Sequence, residues 1–359
     1  MLDDVIRRCA GRGSSRRERV GARPRYALQG LAGAVLGAVA AKAAYSLLTR
    51  PVPGGSGAVS PDWGGASARP EGGPGPDRWL RSNFRGRSVT LQEGPALASA
   101  VCAASLFTPG PAPRVRAASA LAAAGAAAFG AYDDLAGTVR ARGLRGHLTA
   151  LCRGRVTTGG VKIVGIGVTG VAAAALLRRS FVDTVLDGAL IAASANLVNL
   201  FDLRPGRAAK VCLIAAAPAL ASPAAPLLGP AVGAAVALLP DELAERSMLG
   251  DTGANALGAA LGVAAVARAP RRVRAVLLGG AVALTLASER VSFSRCIDRV
   301  PVLRRLDQWG RAAPEASVEG GGEPQKDGVA PQASEGGEAG GGRRVGAVAQ
   351  ETFVAGGGG

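Results

Sequence analysis

The chain is expected to fold as an all-α, polytopic membrane helical bundle of about nine transmembrane helices, between eight and ten, and three observations carry that expectation. Its 359 residues are 48% hydrophobic, and the apolar residues come in long blocks separated by short Arg-rich or Pro-rich joints. The 42 Lys and Arg outnumber 26 Asp and Glu for a net charge of +16, yet aromatics are only 4% and most Arg falls between apolar blocks. A nucleic-acid binder would interleave basic and aromatic residues on amphipathic elements, so the charge reads as membrane topology and attraction to lipid headgroups, with no nucleic-acid partner. The third observation is that the unusual polar clusters stand at the ends of the apolar blocks.

Residues 1–25 carry eight Arg and no apolar run, and a first span follows at about residues 28–48. Residues 51–78 are rich in Pro, Gly and Ser and read as a flexible loop. Within the domain at 26–290, apolar blocks recur at roughly 94–108, 115–132, 161–177, 183–201, 209–222, 224–239, 252–268 and 272–288. Several are shorter than the roughly 20 residues that span a hydrocarbon core, which calls for tilt or local bilayer thinning. Gly258 and Gly262 stand in a G-x-x-x-G spacing that lets helix backbones approach closely. Residues 291–310 form a juxtamembrane segment, and 311–359 a disordered Gly/Glu-rich tail.

Charge counting sets the orientation. With the N-terminus outside, the loops at 49–93, 133–160, 201–208, 240–250 and from 289 onward face the cytoplasm and hold most of the loop Arg, which places the protein in the plasma membrane. "RAPRRVR" at 268–274 and the Arg-rich first 25 residues run against that rule. Translation from about Val20, or an additional N-terminal element, would reconcile the latter. Five scattered cysteines (Cys9, Cys102, Cys152, Cys212, Cys296) form no C-x-x-C pair, and a single His147 excludes a multi-histidine metal centre built by this chain.

All the polar clusters fall on one side in this topology. In "AYDDLAG", Asp133 and Asp134 are adjacent carboxylates closing an apolar span: either a cation- or phosphate-handling pair, or solvated acids answering Arg140 and Arg142. In "SANLVNLFDLRPG", Asn196, Asn199 and Asp202 are spaced by three and share a sector of about 120° on a helix. Such a stripe serves a ligand or bonds another helix. In "MLGDTGANALGAALG", Asp251 or Thr252 caps a helix whose N–H groups favour anions, and Asn255 lies one turn on. Lys162 opens an apolar block, where it either snorkels to the interface or meets phosphate. The loop "RSNFRGRS" offers Asn83 with Arg81, Arg85 and Arg87, and His147 is read as incidental. A transporter would show internal repeats with helices broken at mid-membrane, and no repeat is evident.

Taken in order, "YDD", the Lys opening the next block, "N-x-x-N-x-x-D" and "GDTGANALGA" resemble the MraY/WecA-like polyprenyl-phosphate phospho-N-acetylhexosamine transferases (glycosyltransferase family 4) over about residues 80–290. That resemblance implies transfer of a phospho-N-acetylsugar from a UDP-N-acetylhexosamine to polyprenyl phosphate, releasing UMP, at a Mg2+-dependent cytoplasmic active site, with Mn2+ as a substitute metal. It assigns catalysis to Asp133 and Asp134, metal binding to Asp251 with Asp133, and substrate contacts to Lys162, Asn196, Asn199, Asp202, Asn255, Asn83 and Arg85. It implies a role in cell-wall or surface-glycan assembly and is compatible with a homodimer. Three departures stand out: "DLRPG" where the family reads D-G-x-D-G, no histidine-rich last loop, and no tenth span. They keep open a second expectation, a non-catalytic scaffold or lipid-carrier-binding protein of the same fold.

Overall fold

A computed structural model of the chain describes residues 2–50, 76–136, 146, 149–150, 152–154 and 156–312, with side chains from residue 24 in the first helix. His147, Arg140, Arg142, most of the 51–78 loop, the tail from 313 and the side chains of the Arg-rich N-terminus lie outside the described residues, so the expectations about them stay as stated.

Eleven α-helices lie among the described residues: α1 (Leu2–Leu48), α2 (Glu93–Phe107), α3 (Pro113–Ala136), α4 (Thr158–Ala175), α5 (Phe181–Phe201), α6 (Arg207–Ala216), α7 (Ala225–Leu243), α8 (Gly250–Arg268), α9 (Arg271–Ser288), α10 (Phe293–Arg299) and α11 (Pro301–Gln308). Each of the nine apolar blocks is therefore helical. Pro24–Leu48 of α1, α4, α5 and α7 are long and apolar enough to cross a membrane, and α9 with α10 makes a fifth candidate, bent by 92°. The count of about nine spans exceeds what length and apolarity support. At about 1.5 Å per residue the 15 residues of α2 reach about 22 Å, short of a core about 30 Å thick, and the ten of α6 reach less.

One departure from an all-α fold is a small antiparallel hairpin, β1 (Leu80–Ser82) with β2 (Ser88–Thr90), inside the expected polar loop. Its turn is built by Asn83, whose Oδ1 accepts from the N–H groups of Arg85 and Arg87, and by Gly86 at φ +76°. Hydrogen bonds between Thr90 and both Arg246 and Met248 tie the hairpin to the joint between α7 and α8.

The core is made of small residues. Helix α8 is buried nearly all round, packing on α2, α3 and α5, with Leu249, Ala254, Ala256, Leu257 and Val263 fully enclosed. That is why its hydropathy is modest: its neighbours are helices, and close approach rewards Gly and Ala over Leu. A Cβ on Gly258 would lie 2.3 Å from the Ser194 carbonyl oxygen of α5, so the G-x-x-x-G face is the α5–α8 contact. Large apolar side chains point outward instead, including Leu28 and Val39 of α1, Val164 and Val168 of α4, and Val276 and Leu284 of α9. This inside-out distribution of bulk suits a lipid-facing surface.

Candidate active site at the Asp251 end of the bundle

The C-terminal end of α3 and the N-terminal ends of α4 and α8 meet at one end of the bundle. Gly130 permits the approach of α3 to α8, since a Cβ there would sit 2.4 Å from the Asp251 carbonyl oxygen. One turn later come Asp133 and Asp134, and the two carboxylates have separate tasks.

Asp134 caps α8. Its carboxylate accepts from the N–H of Asp251 at 3.0 Å, the N–H of Thr252 at 2.9 Å and the Thr252 hydroxyl at 2.6 Å. This corrects the expectation that Asp251 or Thr252 caps its own helix: α8 has no side-chain cap from its N-cap residue, Leu249, and the anion that its N-terminus favours is supplied by α3. The backbone carbonyl of Asp134 in turn accepts from Arg81 of the hairpin.

Relieved of capping, Asp251 turns to Lys162. The ammonium of Lys162 lies 3.0 Å from Asp133 Oδ2 and also pairs with Asp251 Oδ2, so one cation bridges two carboxylates from two helices. Lys162 keeps only 12% of its side chain exposed, against 19% for Asp133 and 29% for Asp251. The lysine is thus drawn inward to its partners and does not snorkel. The N-terminus of α4 that carries it is capped by Thr157, which accepts from Gly160 N–H at 3.0 Å.

The predicted stripe of Asn196, Asn199 and Asp202 is divided. Asn196 donates to the Thr285 hydroxyl of α9 at 3.2 Å. Asn199 has a buried Oδ1 with no hydrogen-bond partner. Asp202 is the C-cap of α5, and its Oδ1 is also buried and unpartnered. Burial pushes the Asp202 carboxyl well above the usual carboxylate range, and the nearby Glu242, Asp251 and Asp134 carboxylates push the same way, tempered by the Gly250 N–H.

Asn255 is fully buried, donates to the Asp251 carbonyl at 2.6 Å and leaves its Oδ1 unpartnered. With Lys162, Asn196 and Thr285 it edges a cavity of about 190 Å3 whose remaining walls are mainly apolar, among them Ile166 and Leu286. Polar groups therefore line part of an otherwise apolar recess between α4, α5, α8 and α9.

Asn83 and Arg85 are absorbed differently. Asn83 donates to Glu245 at 3.1 Å while its Oδ1 holds the hairpin turn, and Arg85 pairs with Glu245 at 2.8 Å and donates to the Ala312 carbonyl. Both fasten the hairpin to the bundle, so neither reaches the Asp133–Lys162–Asp251 group directly through any of these bonds.

Sequence reasoning passed over three buried acids behind the site. Glu93, the first residue of α2, accepts from Ser247; Glu242 accepts from Leu249 N–H at 3.2 Å; Glu245 holds Asn83 and Arg85. The signal was present in "QEGPALA" and "LLPDELAERS", where acids stand at block ends. Each of the three is at most 1% exposed.

Among the described residues no group of three or more His, Cys, Asp or Glu side chains is arranged to hold a metal ion. The donors at hand fit Mg2+ in another way: hard carboxylate oxygens of Asp133 and Asp251, which suit an ion that keeps several waters and is held by one or two carboxylates plus substrate phosphates. No protein-family model matches the chain, and no curated protein matches it either.

Proposed function

We propose that the protein transfers a phospho-N-acetylsugar from a UDP-N-acetylhexosamine to polyprenyl phosphate, with release of UMP, as a divergent relative of the MraY/WecA-like transferases in cell-wall or surface-glycan assembly. The observation that carries the reading is the Asp133–Lys162–Asp251 bridge, assembled from three helix ends beside a mainly apolar cavity and backed by Asp134 and Asp202. In the reaction, an oxygen of the lipid phosphate forms a bond to the β-phosphorus of the UDP-sugar, and the bond from that phosphorus to the UMP oxygen breaks. Both partners are polyanions, so neutralisation and in-line positioning matter more than a strong base.

Lys162 supplies a fixed cation for the diphosphate, and it is held in place by the carboxylates that it neutralises. Asp133 and Asp251 would hold Mg2+, whose chemistry is charge neutralisation on the phosphoryl oxygens. Asp133 would also activate the lipid phosphate or attack the β-phosphorus, while Asp134 locks the α8 N-terminus. Asn196 and Asn255 bring amide groups to the cavity lining, and the apolar recess suits the first part of the polyprenyl chain. The active site then belongs on the cytoplasmic face of the plasma membrane, where UDP-sugars are found.

Membranes containing the protein, given UDP-N-acetylhexosamines, polyprenyl phosphate and Mg2+, are expected to release UMP. Asp133→Asn and Asp251→Asn should each lower the rate by roughly 10²–10³-fold with membrane levels unchanged. Release of UMP with none of these sugars, by protein that is present and folded, overturns the assignment.

A scaffold or lipid-carrier-binding role has one specific observation in its favour. In "DLRPG", Arg204 pairs with Asp298 at 2.9 Å and the Pro205 carbonyl accepts from Arg311, so the segment where the family keeps a second aspartate is committed to holding the C-terminal helices. Polyprenyl-phosphate binding that survives Asp251→Asn, without turnover in the unsubstituted protein, is its distinguishing result.

A further inference from the structure

Beyond the site, the segment from α10 to Trp309 has a construction that neither the core nor the proposed reaction uses. The axis turns by 92° between α9 and α10, so the chain leaves the last long helix sideways. One side of the segment is fastened to the bundle. Asp307, 5% exposed, pairs with Arg207 at 2.7 Å and Arg311 at 3.2 Å. Lys210 donates to the carbonyls of Leu306, Asp307 and Trp309, which have no intrahelical partner at the end of α11. Phe293 of α10 stacks on Phe201 with ring centroids 5.1 Å apart.

The other side is apolar and uncovered. At 100° per residue, Val302, Leu303, Leu306 and Trp309 fall within a sector of about 120°, and Asp307 lies beyond its edge, toward the bundle. Val302 is 71% and Trp309 70% exposed. Arg305 borders the apolar sector, and Arg295, Arg299 and Arg304 are exposed nearby; none of the four makes a side-chain ion pair among the described residues. A segment that leaves the last long helix at 92°, is docked through the buried Asp307 of its second helix, is apolar outward and carries guanidinium groups without ion pairs is built for one environment.

We infer that α10–α11 is an interfacial anchor: its Val302–Leu303–Leu306–Trp309 face enters the headgroup region of an anionic bilayer beside the Asp251 end of the bundle, and Arg295, Arg299, Arg304 and Arg305 bind the acidic headgroups. Amphipathic helices of this kind bind through buried apolar area together with attraction to anionic lipid, and tryptophan prefers that depth. The inference concerns membrane contact and stands whether or not the transferase reading holds.

The test uses the full chain with Trp63→Phe and Trp79→Phe, leaving Trp309 as the reporter, reconstituted in phosphatidylcholine vesicles with or without phosphatidylglycerol. Lipids brominated high on the acyl chain are expected to quench Trp309, more strongly with phosphatidylglycerol, and Arg304→Glu with Arg305→Glu should cut that quenching at least about twofold. Those arginines are exposed and make no side-chain hydrogen bond or ion pair among the described residues, so folding is not at stake. Trp309 emission of a water-exposed indole, insensitive to brominated lipid, overturns the anchor. Emission that changes with protein-to-lipid ratio but not with bromination overturns it as well, in favour of a second copy of the chain on this face.

Discussion

At the scale of single residues, neighbouring acids in one motif divide the work. Asp134 gives three hydrogen bonds' worth of acceptor capacity to the start of α8, so Asp134→Ala should cost on the order of 2 kcal/mol and lower the thermal unfolding midpoint in detergent, whereas Asp134→Asn, which keeps one acceptor oxygen, should cost less. If Ala and Asn behave alike, the cap is not what Asp134 supplies. Asp133 and Asp251 are joined by Lys162, and removing that cation leaves two close carboxylates facing each other. Lys162→Met is therefore expected to lose about 3 kcal/mol of stability, and Mg2+ should restore part of it by taking the lysine's place. A thermal midpoint of the Lys162→Met protein that does not move with Mg2+ would count against carboxylates poised for a metal. The acids and the lysine were legible because they stand at the edges of apolar blocks whose joints are otherwise mainly Arg-rich. Which acid caps and which pairs was not, because that depends on Gly130 bringing α3 against α8, a contact between residues about 120 positions apart in the chain.

At the scale of elements, the helices were readable and their partners were not. Each apolar block became a helix because alternation of long apolar runs with Arg-rich joints reports helix and boundary together. The hairpin at 80–90 was missed because three-residue strands carry no periodicity and their pairing rests on one asparagine turn. Asn196, Asn199 and Asp202 share a face in sequence, but α5 ends just before Asp202, and Asn196 bonds Thr285 of α9 while Asn199 Oδ1 and Asp202 Oδ1 are buried without a partner. The C-terminal helices show an electrostatic latch whose pH dependence can be worked out. Burial alone would raise the Asp307 carboxyl, but Arg207 and Arg311 outweigh it and hold the group well below the usual carboxylate range. A depressed folded-state value means that the stabilisation is present above the unfolded value of about 4 and is lost only as pH falls through the lower folded value. Docking of α11, followed by Trp309 emission in detergent, should hold from pH 8 to about 4, while Asp307→Asn should release it even at pH 7. Release of the unsubstituted helix between pH 6 and 5 would show that another group controls the latch.

At the scale of the whole molecule, the polar residues are sorted between two ends. One end gathers Asp133, Lys162, Asp202, Asp251 and the Arg204–Asp298 and Arg207–Asp307 pairs; the other gathers Arg179 of the joint before α5, Asp183 and Asp187 of the first turns of α5, and Arg274 of the first turn of α9. The second group includes one of the four arginines of "RAPRRVR", the stretch that runs against charge counting. Arg274 is 2% exposed and pairs with Asp183 and Asp187, so this arginine is neutralised inside the fold and does not report topology as a free loop charge does. Discounting it removes one of the four arginines that count against the proposed cytoplasmic orientation of the Asp251 end. That assignment makes a prediction that neither helix count nor hydropathy can decide. In a variant whose five native cysteines are replaced by Ser, a cysteine introduced at Arg178, in the joint between α4 and α5, should react with a membrane-impermeant maleimide in intact cells. One introduced at Arg246, between α7 and α8, should react only after permeabilisation. Arg178 precedes α5 at the Arg179–Asp183 end and Arg246 follows α7 at the Asp251 end, so the two positions are joined through α5, α6 with its following turn, and α7, an odd number of crossings if each traverses the bilayer. Opposite labelling is therefore expected, and labelling of both from the same side would show that these helices do not cross the bilayer and would overturn the orientation.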